Sequence, residues 1–143
     1  MDVHSKKIRS YNMSRIKSSG TKPEIFVRKL LHKEGFRYRL DSKINNIKPD
    51  IVLSKYNTCI FIHGCFWHSH DNCKYAVIPK SNIVFWKKKL KQNKERDLKN
   101  EKRLIEKNWK IVTVWECSIK KKKQSVIEEI KKFLNSDCKY KEI

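Results

Sequence analysis

Five successive residues, Thr58-Cys59-Ile60-Phe61-Ile62, are almost wholly apolar, and this run limits the fold more than any other segment. A strand that alternates apolar and polar residues keeps one face in water, whereas a strand apolar on both faces has to be covered on both. Lys110-Ile111-Val112-Thr113-Val114-Trp115 is a second run of this kind. Two buried strands require helices to cover the sheet, and the chain supplies them. Phe26, Val27, Leu30 and Leu31 recur at helical spacing after Thr21-Lys22-Pro23-Glu24, in which Thr is placed to cap and Glu to bond back, and Gly35 is placed to end the helix. A long helix is predicted from about Asn82 to Lys107 with Ser81 as its cap. A last one near Ser125 to Asn135 puts Val126, Ile127, Ile130, Phe133 and Leu134 on one face. Phe36 to Leu40 alternates and reads as a half-buried strand, and Lys48 to Leu53 reads as another, with Pro49 at its entry. The order α-β-β-β-α-β-α gives an α/β single domain, a central mixed β-sheet flanked by helices. Its bounds are set at 21–135, between a basic arm over 1–20, with a short helix near Met13 to Lys17, and a polar tail over 136–143.

Charge narrows the partner. Lys and Arg number 35 against 15 Asp and Glu, a net charge of +20, where a small soluble domain is comfortable at roughly 2–8. Such an excess points to a polyanion. The basic residues are spread along the whole chain and Lys outnumbers Arg, which suits phosphate contact better than a membrane surface. The chain has no run of 18 apolar residues, the length that would span a membrane, and the first thirty residues lack the apolar stretch of a secretory leader. The expected compartment is a reducing cytoplasm, so the five Cys read as thiols or metal ligands rather than as a disulfide framework.

The densest chemistry lies in His63-Gly64-Cys65-Phe66-Trp67-His68-Ser69-His70-Asp71-Asn72-Cys73. Cys65, His70 and Cys73, with Cys117 just past a strand end, form a Cys3His set suited to a closed, structural zinc site; on spacing alone His68 can take the place of His70. Asp50 sits before Ile51-Val52-Leu53 in an apolar stretch, where a charge is costly unless paired or metal-bound. With His63 and His68 it can build a phosphodiester-cleaving site: the carboxylate for Mg²⁺, the imidazoles for protons or the phosphate. Asp97 shares a helical stripe with Trp86, Leu90 and Leu104, so it faces inward and needs a partner, either His68 or a cation such as Arg96 or Lys94. Phe66 and Trp67 beside a Cys ligand suit a wedge between bases or a lid over the metal. Trp86 by itself reads as a core residue.

Ile62-His63-Gly64-Cys65-Phe66-Trp67-His68, Lys48-Pro49-Asp50-Ile51-Val52, Phe85-Trp86 through Glu95-Arg96-Asp97, and Val114-Trp115-Glu116-Cys117 together resemble the very short patch repair endonucleases, and Met13-Ser14-Arg15-Ile16 leading into Thr21-Lys22-Pro23-Glu24 fits the same family. The resemblance implies a restriction-endonuclease-like fold and a DNA mismatch endonuclease. Such an enzyme nicks double-stranded DNA on the 5′ side of the thymine in a T·G mismatch left by deamination of 5-methylcytosine. It implies catalytic Mg²⁺ on Asp50 and the carbonyl of Ile62, His63 and His68 at the phosphate and water, Asp97 orienting His68, and Glu24 at the site's edge. Cys65, His70, Cys73 and Cys117 correspond to structural Zn²⁺, and Phe66, Trp67 and Trp86 to a DNA-intercalating wedge. A monomer at the nucleoid of a bacterium, linked in function to a cytosine-5 methyltransferase, goes with this family. Ile62 departs from the Thr of some members, and the segment from His70 to Cys73 is a residue longer than in some. The strand Ile60-Phe61-Ile62-His63 also lacks the second carboxylate and Lys usual in the wider superfamily. Two alternatives stand beside this reading: a zinc-stabilised DNA-binding module without catalysis, and a related nuclease of different sequence specificity.

Overall fold

The computed structural model describes residues 21–143, so the basic arm and its short helix lie outside the described residues. Helix α1 (Lys22–Lys33) opens with Pro23 in its first turn and closes at Gly35, whose φ of 89° lets the chain turn out of the helix. Gly35 N–H donates to the carbonyl of His32 and Phe36 N–H to that of Leu31, each at 3.0 Å, a Schellman closure. Strand β1 (Ile51–Leu53), a single 3-10 turn (Ser54–Tyr56) and β2 (Thr58–His63) follow, with Asn57 in the left-handed region at the turn. Helix α2 (Ile83–Glu106) carries the chain over the sheet to β3 (Lys110–Trp115). Then come α3 (Glu116–Lys121), α4 (Lys123–Leu134) and β4 (Tyr140–Glu142).

The sheet order is β1-β2-β3-β4, with β1 antiparallel to β2 and the other neighbours parallel. Strand alternation sorts the side chains onto two faces. Ile60, Ile62, Val112 and Val114 face α1 and α4, where they meet Val27, Leu31, Ile127 and Ile130 in the main core. Cys59 and Ile111 face the other way and meet Leu104 of α2 and Ile47. Leu104 is fully buried, and burial of such a side chain is worth about 1.5–3 kcal/mol; with Trp86 and Leu90 it fastens a helix that is otherwise largely exposed. The same alternation puts His63 and Trp115, paired in register at the ends of β2 and β3, on the α2 face. The carboxyl ends of two parallel strands, with a helix above them, are where this architecture places its sites.

Several sequence expectations are corrected. Phe36 to Leu40 is not a strand: Phe36 and Tyr38 pack on the core, but the backbone makes one bridge, Arg39 to Val52, before Asp41, Asn45 and Asn46 turn the chain through the left-handed region. The strand expected from Lys48 begins at Ile51, so Asp50 stands just before β1. Thr21 occupies the N-cap of α1 without a side-chain capping bond, and the Glu24 carboxyl is turned to Asp50. The N-cap of α2 is Asn82, one residue after Ser81. The residues expected as a polar tail include β4, held to β3 by backbone bonds such as Ile143 N–H to Thr113 O at 2.9 Å.

Candidate active site and metal centre

A cleft of about 660 Å³ opens at the carboxyl ends of β2 and β3, lined by Glu24, Asp50, Ile62, His63, His68 and Asp97 among others. Asp50 reaches from the residue before β1 to its neighbour strand, where its Oδ2 accepts the backbone N–H of Ile62 at 2.7 Å. Glu24 comes from the first turn of α1, is 4% exposed and hydrogen-bonds the Asp50 carboxyl. Its Oε2 also accepts from Arg28 Nη2 at 3.2 Å, one turn along the helix. Burial above all, and then the charge of Glu24, push the Asp50 carboxyl up to about 7, against the pull of the Ile62 N–H. Two acids brought together out of water create a demand for positive charge that a hard divalent cation on oxygen ligands satisfies. The residues at this end of the cleft therefore fit Mg²⁺.

The imidazoles lie at the other end. His63 is 6% exposed, stacks on His68 with ring centroids 3.8 Å apart and planes within 5°, and meets Trp115 edge-on at 5.2 Å. Burial, reinforced by His68 and opposed by Asp97, lowers its pKa to about 3, so His63 is neutral at neutral pH. His68 Nδ1 lies 2.5 Å from Asp97 Oδ2. An ionised carboxylate only accepts, so Nδ1 carries the hydrogen and Nε2 is the ring's basic atom. Of the partners considered for Asp97 from sequence, Lys94 is engaged elsewhere, with Asp71 at 3.2 Å, and the inward-facing stripe delivers Asp97 to His68.

Beyond the histidines, Cys65, His70, Cys73 and Cys117 bring one ligand atom each within 4.8 Å of one another. Backbone bonds curl the loop to do this: His68 N–H to Gly64 O at 3.1 Å and His70 N–H to Cys65 O at 2.9 Å, with Ser69 and Asn72 left-handed. His70, not His68, joins the cysteines: its Nδ1 lies 3.5 Å from Cys117 Sγ and its ring stacks on Trp115 at 4.0 Å. Zinc bonds of about 2.0–2.3 Å set tetrahedral ligand atoms roughly 3.3–3.8 Å apart, a small contraction from this arrangement. Soft donors, their number and their closeness all fit Zn²⁺.

Phe66 and Trp67 leave the loop between the two centres as half-buried rings, 5.1 Å apart, over Trp86 at 5.4 and 5.9 Å. Trp86 is 7% exposed and backs the other two, while its neighbour Phe85 is 58% exposed. One residue escaped the sequence reading. Asn93, buried on α2 one turn before Asp97, donates its Nδ2 to the Trp67 carbonyl at 3.1 Å. Successive loop residues, Trp67 and His68, are thus held by successive turns of one helix. The signal was present, since Asn93 lies on the stripe between Leu90 and Asp97, but a helical Asn has no chemistry that singles it out. Cys59, by contrast, is a core thiol, its pKa pushed up to about 12 by burial.

Comparison with known proteins places this geometry. Residues 1–74 match the family model described as DNA mismatch endonuclease Vsr. The chain is 51% identical over 121 residues to the type II nicking enzyme V.NmeAIP of Neisseria meningitidis, covering 85% of this chain and 86% of that one. It is 38% identical over 119 residues to the DNA mismatch endonuclease Vsr of Escherichia coli, covering 83% and 76%. Among solved structures, the catalytic domain of the homing endonuclease I-Bth0305I superposes with a TM-score of 0.51 at 19% identity, covering 82% of this chain and all of that one, a likeness of fold. The mixed sheet, the cleft at its carboxyl ends and these matches lead to one conclusion: the chain belongs to the Vsr family of DNA mismatch endonucleases.

Proposed function

We propose that the protein is a Mg²⁺-dependent endonuclease that nicks one strand of duplex DNA 5′ of the thymine in a T·G mismatch. The observation that carries this reading is the meeting, in one cleft, of an acid pair (half-buried Asp50 and buried Glu24) with an Asp97–His68 pair. A DNA-binding module has no use for either. Asp50 and the Ile62 carbonyl would hold Mg²⁺, which would supply Lewis acidity at the phosphate and a lowered pKa for water. His68 Nε2 takes the proton of the attacking water, and Asp97 steadies the imidazolium that results. His63, kept neutral by burial, hydrogen-bonds the phosphate without adding charge. Zn²⁺ on Cys65, His70, Cys73 and Cys117 is structural, since four protein ligands leave no open position. Phe66 and Trp67, backed by Trp86, enter the base stack at the mismatch and repay the unstacking with stacking contacts. The chain acts as a monomer in the cytoplasm, on DNA that a cytosine-5 methyltransferase modifies.

The test is a nicking assay on matched T·A and mismatched T·G duplexes with Mg²⁺ or with chelator. Nicking confined to the T·G duplex, 5′ of the thymine and only with Mg²⁺, is expected. Binding without nicking on any duplex overturns the reading in favour of a binding module. The relatives named type II nicking enzymes favour a second reading, a nicking enzyme of other specificity; equal cutting of matched and mismatched duplexes would establish it.

A further inference from the structure

The cleft is lined by four acids, Glu24, Asp50, Asp97 and Glu116, of which Glu24 is paired with Arg28 at 3.2 Å and Glu116 with Lys120 at 3.3 Å, yet on the function proposed above it must admit a phosphodiester. A cation at Asp50 offsets only part of that repulsion. Of the lining residues, Lys48 and Arg96 are cationic. Lys48 is engaged with Asp41 at 2.9 Å. Arg96 is exposed and, among the described residues, has neither an ion pair nor a hydrogen bond to another side chain or carbonyl. Its neighbour Asp97 is taken by His68. Strand β2 ends in Ile60-Phe61-Ile62-His63 and brings no cation to the cleft.

Helix geometry places Arg96 well for this need. Residues four apart share a helix face, so α2 presents two adjoining rows at the cleft. Asn93 and Asp97 grip the loop, while Arg96 and Asn100 line the open side. A guanidinium offers a planar fork of donors that matches two phosphate oxygens, which an ammonium cannot. We propose that Arg96, with Asn100 one turn on, clamps the phosphate that is cut and neutralises charge building on its non-bridging oxygens. This assignment rests on the nuclease reading and adds a phosphate-binding residue that the acid pair and the histidines leave wanting.

The experiment measures binding and cutting by wild type, Arg96→Gln and Arg96→Lys. Binding is measured with Ca²⁺ in place of Mg²⁺, on duplexes carrying one neutral methylphosphonate at each successive position around the mismatch. Arg96→Gln should bind the ordinary duplex about tenfold more weakly, and neutralising the cut phosphate, and no other, should close that gap. Single-turnover nicking at saturating DNA should fall on the order of 10- to 100-fold in Arg96→Gln, with partial recovery in Arg96→Lys. Matching melting curves establish that the variants fold. A gap that persists when the cut phosphate is neutral, or wild-type nicking by Arg96→Gln, overturns the assignment. Failure of the wild type to nick any duplex strikes the proposed function instead, and is read separately from the methylphosphonate scan.

Discussion

Replacing Asp97 by Asn tests the base assignment most directly, because the two side chains have the same shape and differ in charge. Asp97 Oδ2 sits 2.5 Å from His68 Nδ1, and with both charges delocalised their centres lie roughly 4 Å apart. At an effective dielectric of about 20 the attraction between carboxylate and imidazolium is about 4 kcal/mol. The side chains are 22% and 17% exposed, so solvent screening reduces this to about 2–3 kcal/mol. If the Asn oxygen keeps accepting from Nδ1–H, the loss is the charge alone, and nicking should slow by about 30- to 150-fold. If the Asn amide turns its donors to Nδ1, the ring proton moves to Nε2 and the base is gone, for a loss approaching 10⁴-fold, as in serine-protease triads. The assay is single-turnover nicking of a T·G duplex at saturating DNA and Mg²⁺, with duplex affinity and a melting curve on the same preparation. His68→Ala and the double variant complete a cycle, in which the double variant should be no slower than His68→Ala. A drop of less than about threefold with an unchanged pH–rate profile would refute the reasoning, because His68 would then take no proton in the rate-limiting step.

Asp50→Asn should abolish Mg²⁺-dependent nicking while duplex binding stays intact or tightens. Its thermal stability without divalent ions should match or exceed wild type by a margin that grows with pH: the Asp50 pKa is raised, so its folded-state proton stabilises below about pH 4 and that contribution is lost as pH rises through about 7. A melting series over that range checks the sign, and a margin that shrinks with pH contradicts it. Protein purified without added zinc should carry one zinc per chain, and Cys117→Ser or prolonged chelation should remove it with loss of nicking; a metal-free sample with full activity contradicts the structural assignment. Asn93→Ala, which gives up the bond to the Trp67 carbonyl, should lower nicking of T·G duplexes by about fivefold, the worth of one such bond, with little change in affinity for matched DNA. Equal effects on both duplexes would make Asn93 a general stability residue.

What the sequence made legible is what a period or a ligand type can carry. The two strands buried on both faces, the amphipathic helices and the glycine stop after α1 each express themselves in residue spacing, and the structure has them. Strand β4 does not: Tyr140, Lys141 and Glu142 are exposed and join the sheet through their backbone alone, which no side-chain pattern records. Helix α3 is six residues long, too short for a helical period to stand out in the sequence. Phe36 to Leu40 departs the other way, since Phe36 and Tyr38 are half-buried against the core, as a strand would place them, without a continuous pairing partner. In the site, soft-ligand chemistry found the cysteines, but choosing between His68 and His70 needed the backbone turns at Ser69 and Asn72. Asn93 is not legible because polar residues on a long basic helix are common, and Arg96 reads from sequence only as a candidate partner of Asp97; the helix's placement over the cleft is what separates these two from the rest.

A metal on the cysteine set would meet an energetic need of the loop that carries Phe66, Trp67 and His68. The nine residues from Cys65 to Cys73 form no regular structure, and holding such a segment in one conformation costs about 1–2 kcal/mol per residue, roughly 9–18 kcal/mol in all. Phe66 and Trp67 offset this only in part, because their rings stay half-buried. A structural zinc contributes apparent binding energies of about 10–16 kcal/mol, which is the scale required. The cysteine set then anchors one end of the loop through Cys117 on α3, while Asn93 and Asp97 anchor its middle through α2. Trp115 stands between, stacked on His70 and edge-on to His63. Losing zinc should therefore release Phe66, Trp67 and His68 together, whereas Asp50, Glu24 and His63 are set by α1 and the sheet and should stay in place. On the function proposed above, recognition and proton transfer would share one support, and the cation-binding acids would have another.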